Sequence, residues 1–301
     1  MARRVGLIGA GQMGRGIGLN LMAKGYELVT MAHRSRDVVE ELLANGASEV
    51  STTAEIAAQS DIVLLCVTGT PALEQVFFGD QGILETVSAG QLVIDCSTGE
   101  PEIVTRVATE LAGRDVDFVD APLARTPVEA AAGKLNTMVG GSTKSFERAL
   151  PVLECFCENI FHMGDVGAGI RMKLINNLIT MGQAALIAEA ISACVATGVD
   201  LDKFYEVISK GGGNSGIFQM VVPAILEEGS YKGMKFSIAN AAKDLGYYNN
   251  MAQSADIDHR LGREVLAALT DAQQTGDPES LVAELVLAAA NRNSLRIPTK
   301  H

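Results

Sequence analysis

Short apolar runs rich in β-branched residues alternate with helix-like patterns through the first half of the chain. Arg3–Gly9, Glu27–Met31, Asp61–Val67, Gln91–Cys96 and Val116–Asp120 put apolar residues at successive rather than alternate positions, which predicts strands covered on both faces. The segments between them repeat their apolar residues with a period of roughly 3.6, which predicts helices. Such alternation builds βαβ units and a doubly wound parallel sheet. Leu135–Val139 and Asn159–His162 predict further strands that extend this sheet, with glycine-rich turns at Gly140-Gly141 and Gly164–Gly169. After Gly169 the strand signal stops, and a helical pattern runs from Ile170 through an alanine-rich stretch to Ala196. The expected organisation is an α/β domain over residues 1–165, then an all-α domain over residues 166–301, entered by one long helix. The tail beyond Arg292 is expected to fray.

Composition adds bounds. The 301 residues are 48% apolar and 20% charged, the balance of a compact protein with a large core. A net charge of −12 opposes nucleic acid and anionic lipid as partners, so any anion site must be local. Five cysteines, with no C-x-x-C pair and no histidine cluster beside them, suggest reduced thiols and neither disulfides nor a metal site. The basic start is interrupted by glycines, and no apolar run of membrane length is expected, so a soluble cytoplasmic protein without membrane contact is the default.

Gly9-Ala-Gly11-Gln12-Met13-Gly14 follows the first strand and opens a helix that runs to Lys24. In this G-x-G-x-x-G pattern Gly9 makes the tight turn, Gly11 lets a pyrophosphate approach the backbone, and Gly14 lets the helix pack on the strand. The helix N-terminus then offers free N–H groups to the phosphates. Together with the βαβ pattern this predicts a Rossmann-type dinucleotide site. At the end of the second strand, where an NAD-selective site carries an acid for the ribose 2′-hydroxyl, the chain reads Met31-Ala-His33-Arg34-Ser35-Arg36. Arg34 can pair with a 2′-phosphate, Ser35 can add a hydrogen bond, and His33 or Arg36 can lie along the adenine. NADP is favoured, with NAD possible.

On the long helix, Lys173, Asn176, Asn177 and Thr180 recur at i, i+3, i+4 and i+7, a polar seam among Ile170, Met172, Leu174, Ile175, Leu178 and Ile179. All four share one face. A lysine buried among apolar neighbours is costly unless it has partners or a task. An amine whose pKa is lowered by partial burial in a cleft suits proton exchange with a substrate oxygen, and the asparagines can orient it and hold substrate; an interdomain lysine bonded to carbonyls is the alternative. Asp95-Cys-Ser97-Thr98 ends a strand on the ligand side of the sheet, and Lys243 lies in a helical stretch; pattern alone leaves both as ordinary structure. Gly211–Ser215 and Phe218 are candidates to close over substrate. His162 and His259 read as surface or packing residues.

The chain resembles the β-hydroxyacid dehydrogenase family, whose type member is 3-hydroxyisobutyrate dehydrogenase. The matching segments are Gly6–Gly16, Asp95–Thr98, Asp120-Ala-Pro, Gly133–Gly141, Gly167–Asn177 and Lys243-Asp-Leu. The resemblance implies Lys173 as acid/base, Asn176 and Asn177 on substrate, and Gln12, Met13, Val67, Thr98 and Lys243 on cofactor; Thr68 beside Val67 is a further cofactor candidate, and Ser97, from its place at the strand end, and Thr180, from the seam, are substrate candidates. It also implies a helical half like the C-terminal domain of 6-phosphogluconate dehydrogenase, reversible oxidation of short β-hydroxyacids to semialdehydes, and a homodimer or homotetramer. One departure stands out: after Asp120-Ala-Pro the family has a Ser-Gly-Gly turn that holds the substrate carboxylate, whereas this chain has Ala124-Arg125-Thr126. Arg125 can clamp an anion, with Thr126 as a further donor. That change resembles the sulfolactaldehyde reductase branch, whose NADH users carry an acid where this chain has His33. A dinucleotide-sensing protein without turnover is the alternative of another class.

Overall fold

The computed structural model describes residues 3–33, 36–277 and 279–298. It divides into two compact units between Lys173 and Leu174. In the first unit the elements run β1 (Arg4–Ile8), α1 (Gln12–Ala23), β2 (Glu27–Thr30), α2 (Arg36–Ala44), β3 (Ser48–Glu49), α3 (Thr53–Ala58), β4 (Ile62–Leu65), α4 (Gly69–Phe78), β5 (Leu92–Asp95), α5 (Pro101–Ala112), β6 (Asp117–Asp120), β7 (Leu123–Ala124), α6 (Pro127–Ala131), β8 (Leu135–Gly140), α7 (Thr143–Leu153) and β9 (Cys157–Gly164). Helix α8 (Ala168–Thr197) continues into the second unit, which adds α9 (Leu201–Lys210), α10 (Gly216–Glu228), α11 (Ile238–Ser254), α12 (Arg260–Thr275) and α13 (Leu285–Arg292).

The sheet order is β3-β2-β1-β4-β5-β6-β8-β7, with β9 also paired to β8. Strands β3 to β6 are parallel, β8 runs antiparallel to β6 and β7, and β9 is parallel to β8. This is the doubly wound architecture that the unbroken apolar runs predict: every residue of β4 is buried, and so is every residue of β5. Leu7, Ile17, Leu21, Leu64 and Ile94 form the core beneath α1 and the sheet, each contributing about 1.5–3 kcal/mol when fully buried. The two-residue strands β3 and β7 are not predicted, because each is too short to show a period. They exist through pairing, Val29 beside Ser48 and Leu123 beside Thr137.

The helical unit has its own core, in which Met181, Ile187, Ile191, Phe218, Val221, Leu245 and Leu269 are buried together. Three expectations change here. Helix α8 is long and apolar enough, by length and composition, to cross a membrane; Met181, Ile187 and Ile191 of it lie in that core, while Ile175, Ile179 and Leu186 are exposed. Phe218 is buried and stacks on Tyr205, so it belongs to the core of this unit, whereas Gly211–Asn214 are exposed and Ser215 caps α10 by accepting from the Phe218 N–H. Beyond Arg292 the chain does not fray at once: Leu295 N–H donates to the Ala290 carbonyl at 2.9 Å, and Ile297 packs on the core.

Candidate active site

In the first unit the loops after β1, β4, β5 and β6 meet at the carboxyl ends of the strands, where ligands collect in an open α/β sheet. Gly9 has φ +104°, and a Cβ there would stand 2.2 Å from the Cys66 carbonyl oxygen. A Cβ on Gly14 would come within 2.1 Å of the Gly9 carbonyl oxygen, so α1 can sit this close only on glycine. A Cβ on Gly11 would meet nothing within 4 Å. Gly11 is also the N-cap of α1 without a side-chain cap, and the first turn, Gln12-Met-Gly-Arg, holds no acid. Uncapped N–H groups, the positive helix end and open space over Gly11 fit the pyrophosphate of a dinucleotide.

Around this turn Gln12 is exposed and Met13 half-buried. Val67 N–H donates to Ser97 Oγ at 3.0 Å, and Thr68 bridges to Thr98 in parallel fashion. Ser97 is buried, so its hydroxyl ties the β4 and β5 loops together. His33 is exposed after β2, whereas Arg34 and Ser35 lie outside the described residues. Arg36 forms exposed ion pairs with Glu40 and Glu49.

Past β6 the chain turns through Pro122 into β7, and Arg125 adopts φ +80°. A non-glycine residue held there costs on the order of 1–3 kcal/mol, and it stands where the resemblance leads one to expect a glycine. Arg125 Nη1 donates to the Lys134 carbonyl and to Glu158. Thr126 caps α6 in a capping box with Glu129, so its hydroxyl has a structural partner. Lys173, the sixth residue of α8, is buried at 8% exposure.

Two acids that sequence reasoning did not assign stand beneath this crest. Asp95 and Asp120 are register neighbours at the ends of β5 and β6, and both are buried. Asp95 Oδ1 accepts from Ser97 N–H. Asp120 accepts from Gly167 and Ile170 N–H at 2.7 Å each. Burial pushes Asp95 up to about 6, against its hydrogen bonds from Ser97. Burial likewise pushes Asp120 up to about 7, against the backbone N–H groups, with Asp95 adding to the rise.

In the second unit Asn177 Nδ2 donates to Asp244 Oδ2 at 2.7 Å, and Lys243 Nζ forms an ion pair with Asp244 Oδ1 at 2.9 Å. Asn176 lies beside them, its Nδ2 3.4 Å from Asn177 Oδ1. Asp244, buried between a predicted substrate residue and a predicted cofactor residue, was missed although it sits inside the Lys243-Asp-Leu segment. Thr180 Oγ1 bonds to the Asn176 and Asn177 carbonyls of its own helix.

Comparison with known proteins agrees with this arrangement. Residues 4–164 match the NAD-binding domain of 6-phosphogluconate dehydrogenase, and residues 167–288 match the NAD-binding domain of NADP-dependent 3-hydroxyisobutyrate dehydrogenase. The 2-(hydroxymethyl)glutarate dehydrogenase of Eubacterium barkeri is 32% identical over 81% of this chain and 80% of its own length. The 3-sulfolactaldehyde reductase of Escherichia coli is 29% identical over 95% and 96%. In fold, the solved 3-hydroxyisobutyrate dehydrogenase of Mycobacterium tuberculosis superposes with a TM-score of 0.87 at 24% identity, covering 95% of this chain and 99% of that one. With a glycine turn shaped for a dinucleotide, a buried lysine on the helix that follows, and relatives matching along nearly the whole length, the chain belongs to the β-hydroxyacid dehydrogenase family, in its 3-hydroxyisobutyrate dehydrogenase-like part.

Proposed function

We propose that this protein interconverts a short anionic β-hydroxyacid and its semialdehyde or aldehyde by hydride transfer with NADP, Lys173 serving as general acid/base. The observation that carries the reading is Lys173 itself, a lysine buried on an apolar helix and followed on the same face by Asn176 and Asn177. When bound, the dinucleotide supplies or receives the hydride. In the reducing direction Lys173 Nζ gives a proton to the oxygen of the nascent alkoxide, and in the oxidising direction it takes that proton from the hydroxyl. Asn176 and Asn177 hold substrate oxygen through amides that do not compete for the proton, and Asp244 fixes the Asn177 amide.

Arg125 is the proposed anchor for the distal anion. Its Nη1 is held by Glu158 and Lys134, which sets the guanidinium plane; the Nε–Nη2 edge then provides two parallel donors for a carboxylate or sulfonate. The missing acid at the end of β2 supports NADP over NAD. A second reading, reduction of a sulfonated aldehyde with NADH, draws on Arg125-Thr126 in place of the family turn and on the sulfolactaldehyde reductase relative. Turnover is favoured over mere dinucleotide sensing because the Lys173-Asn176-Asn177 seam is intact. We also infer assembly as a homodimer or homotetramer, in the cytoplasm.

Cofactor absorbance followed with carboxylated, sulfonated and phosphorylated short aldehydes, with NADPH and with NADH, tests the reading. Turnover of a carboxylated or sulfonated aldehyde is expected, with NADPH preferred, and a roughly 10²–10⁴-fold loss of kcat in Lys173→Ala, the range for removal of a general acid. Undiminished activity of that variant removes the mechanism, and equal use of both dinucleotides removes the cofactor preference.

A further inference from the structure

We propose that Asp120 is the positioning residue for Lys173: its buried carboxylate, at the end of β6, grips the first turn of α8 and so sets where the lysine amine stands. This rests on the reading of Lys173 as acid/base and deepens it.

The grip uses both oxygens. Oδ1 accepts from Gly167 N–H and Oδ2 from Ile170 N–H, each at 2.7 Å, across 47 and 50 residues of chain. An anion at a helix N-terminus is held by the helix dipole as well as by the bonds. The sequence clears space for the contact at three places. A Cβ on Gly140, the antiparallel register partner of Asp120, would stand 2.4 Å from Oδ1. One on Gly169 would stand 2.8 Å from Oδ2 and 2.2 Å from the Met138 carbonyl oxygen. Gly167 turns at φ +85° to bring its N–H onto the carboxylate. Three glycines thus let α8 lie directly on the acid.

From Ile170 to Lys173 is three residues, less than one turn of a stiff rod, so a displacement of the first turn reaches the amine undiminished. The same strand ends arrange the cofactor side of the site: Asp95, beside Asp120, holds Ser97 N–H, and Ser97 Oγ holds Val67 N–H. Asp95 is the titratable group that acts on Asp120 from β5. The facing residue of β8 is glycine, and α8 brings Arg171 and Lys173 beyond the gripped turn.

In Asp120→Asn the side chain keeps its shape, but one oxygen becomes an amide that cannot accept, which strands one of the two N–H groups. The expected result is a fall in kcat of about 10²-fold, the scale for a misplacement near 1 Å, with the dinucleotide KM unchanged. Hydrogen exchange of the substrate-free protein should quicken at residues 167–173 and stay as in wild type over 4–23. Wild-type kcat, or unaltered exchange at 167–173, overturns the proposal, and so does a parallel collapse of kcat and dinucleotide binding, which marks general damage. Should the variant fail to fold, wild-type exchange between pH 8 and 5.5 decides. Burial makes the ionised carboxyl the strained form, so an opening of the first turn that exposes Asp120 becomes easier as pH rises: protection at 167–170, relative to the intrinsic rate, is expected to be lower at pH 8 than at pH 5.5, and constant protection overturns the anchor. Exchange needs no turnover, so an intact exchange effect beside a fully active Lys173→Ala would sink the acid/base reading and not the grip.

Discussion

Asp120 and Arg125 are held in states that an isolated residue would avoid, and each state can be measured. Asp120 binds its proton more tightly in the folded protein than in the unfolded chain, because burial raises it from 3.8 to about 7. Its contribution to stability is therefore full below about pH 4 and is lost as pH rises through about 7. Asp95 acts with the same sign up to about 6. The rise for Asp120 corresponds at most to something on the order of 4 kcal/mol. The melting temperature of wild type should fall between pH 4.5 and 7.5 more steeply than that of Asp120→Asn; parallel curves would mean the carboxyl is not strained by burial. At Arg125, replacement by glycine removes the φ +80° penalty and a half-exposed ion pair with Glu158. Relief of about 1–3 kcal/mol of backbone strain outweighs an exposed pair of about 0–1 kcal/mol, so stability should rise, by about 1 kcal/mol, while KM for the anionic substrate rises. An unchanged KM, read from saturation curves, would show that Arg125 does not meet the anion.

At the level of the element, the turn from β1 into α1 separates two uses of glycine. Gly14→Ala puts a methyl against the Gly9 carbonyl, and forced overpacking of this kind costs about 1–3 kcal/mol. Thermal melting should show it, together with lost dinucleotide binding. Gly11→Ala meets no atom and has φ −87°, so the fold should be unaffected; yet its methyl stands where the pyrophosphate would approach, and dinucleotide affinity should drop by roughly tenfold or more, about 1.4 kcal/mol. Titration calorimetry on both variants checks this, and undiminished binding in Gly11→Ala would displace the pyrophosphate from this turn.

For the whole molecule, the helical unit leaves Ile175, Ile179 and Leu186 exposed along one stripe of α8, since positions four and eleven residues apart return to the same side of a helix. Apolar stripes of this kind commonly become buried by association. A molar mass of two or four chains is expected from light scattering, and Leu186→Glu should shift it toward one chain; a wild-type monomer would refute the assembly.

Sequence alone determined the elements whose signal is local. Unbroken apolar runs in β4 and β5, the glycines of the β1 turn and the seam of Lys173, Asn176 and Asn177 all follow from side-chain period and from the steric needs of single positions. What tertiary structure decided are pairings between distant segments, for which no periodicity exists: β7 against β8, Ser97 as a tie to Val67, Asp244 between Asn177 and Lys243, and Asp120 reaching to Gly167 and Ile170. A carboxylate in a sequence is only a charge until folding removes water around it. Loss of solvent makes each such group take whichever donors the chain brings near, and those donors are set by the fold.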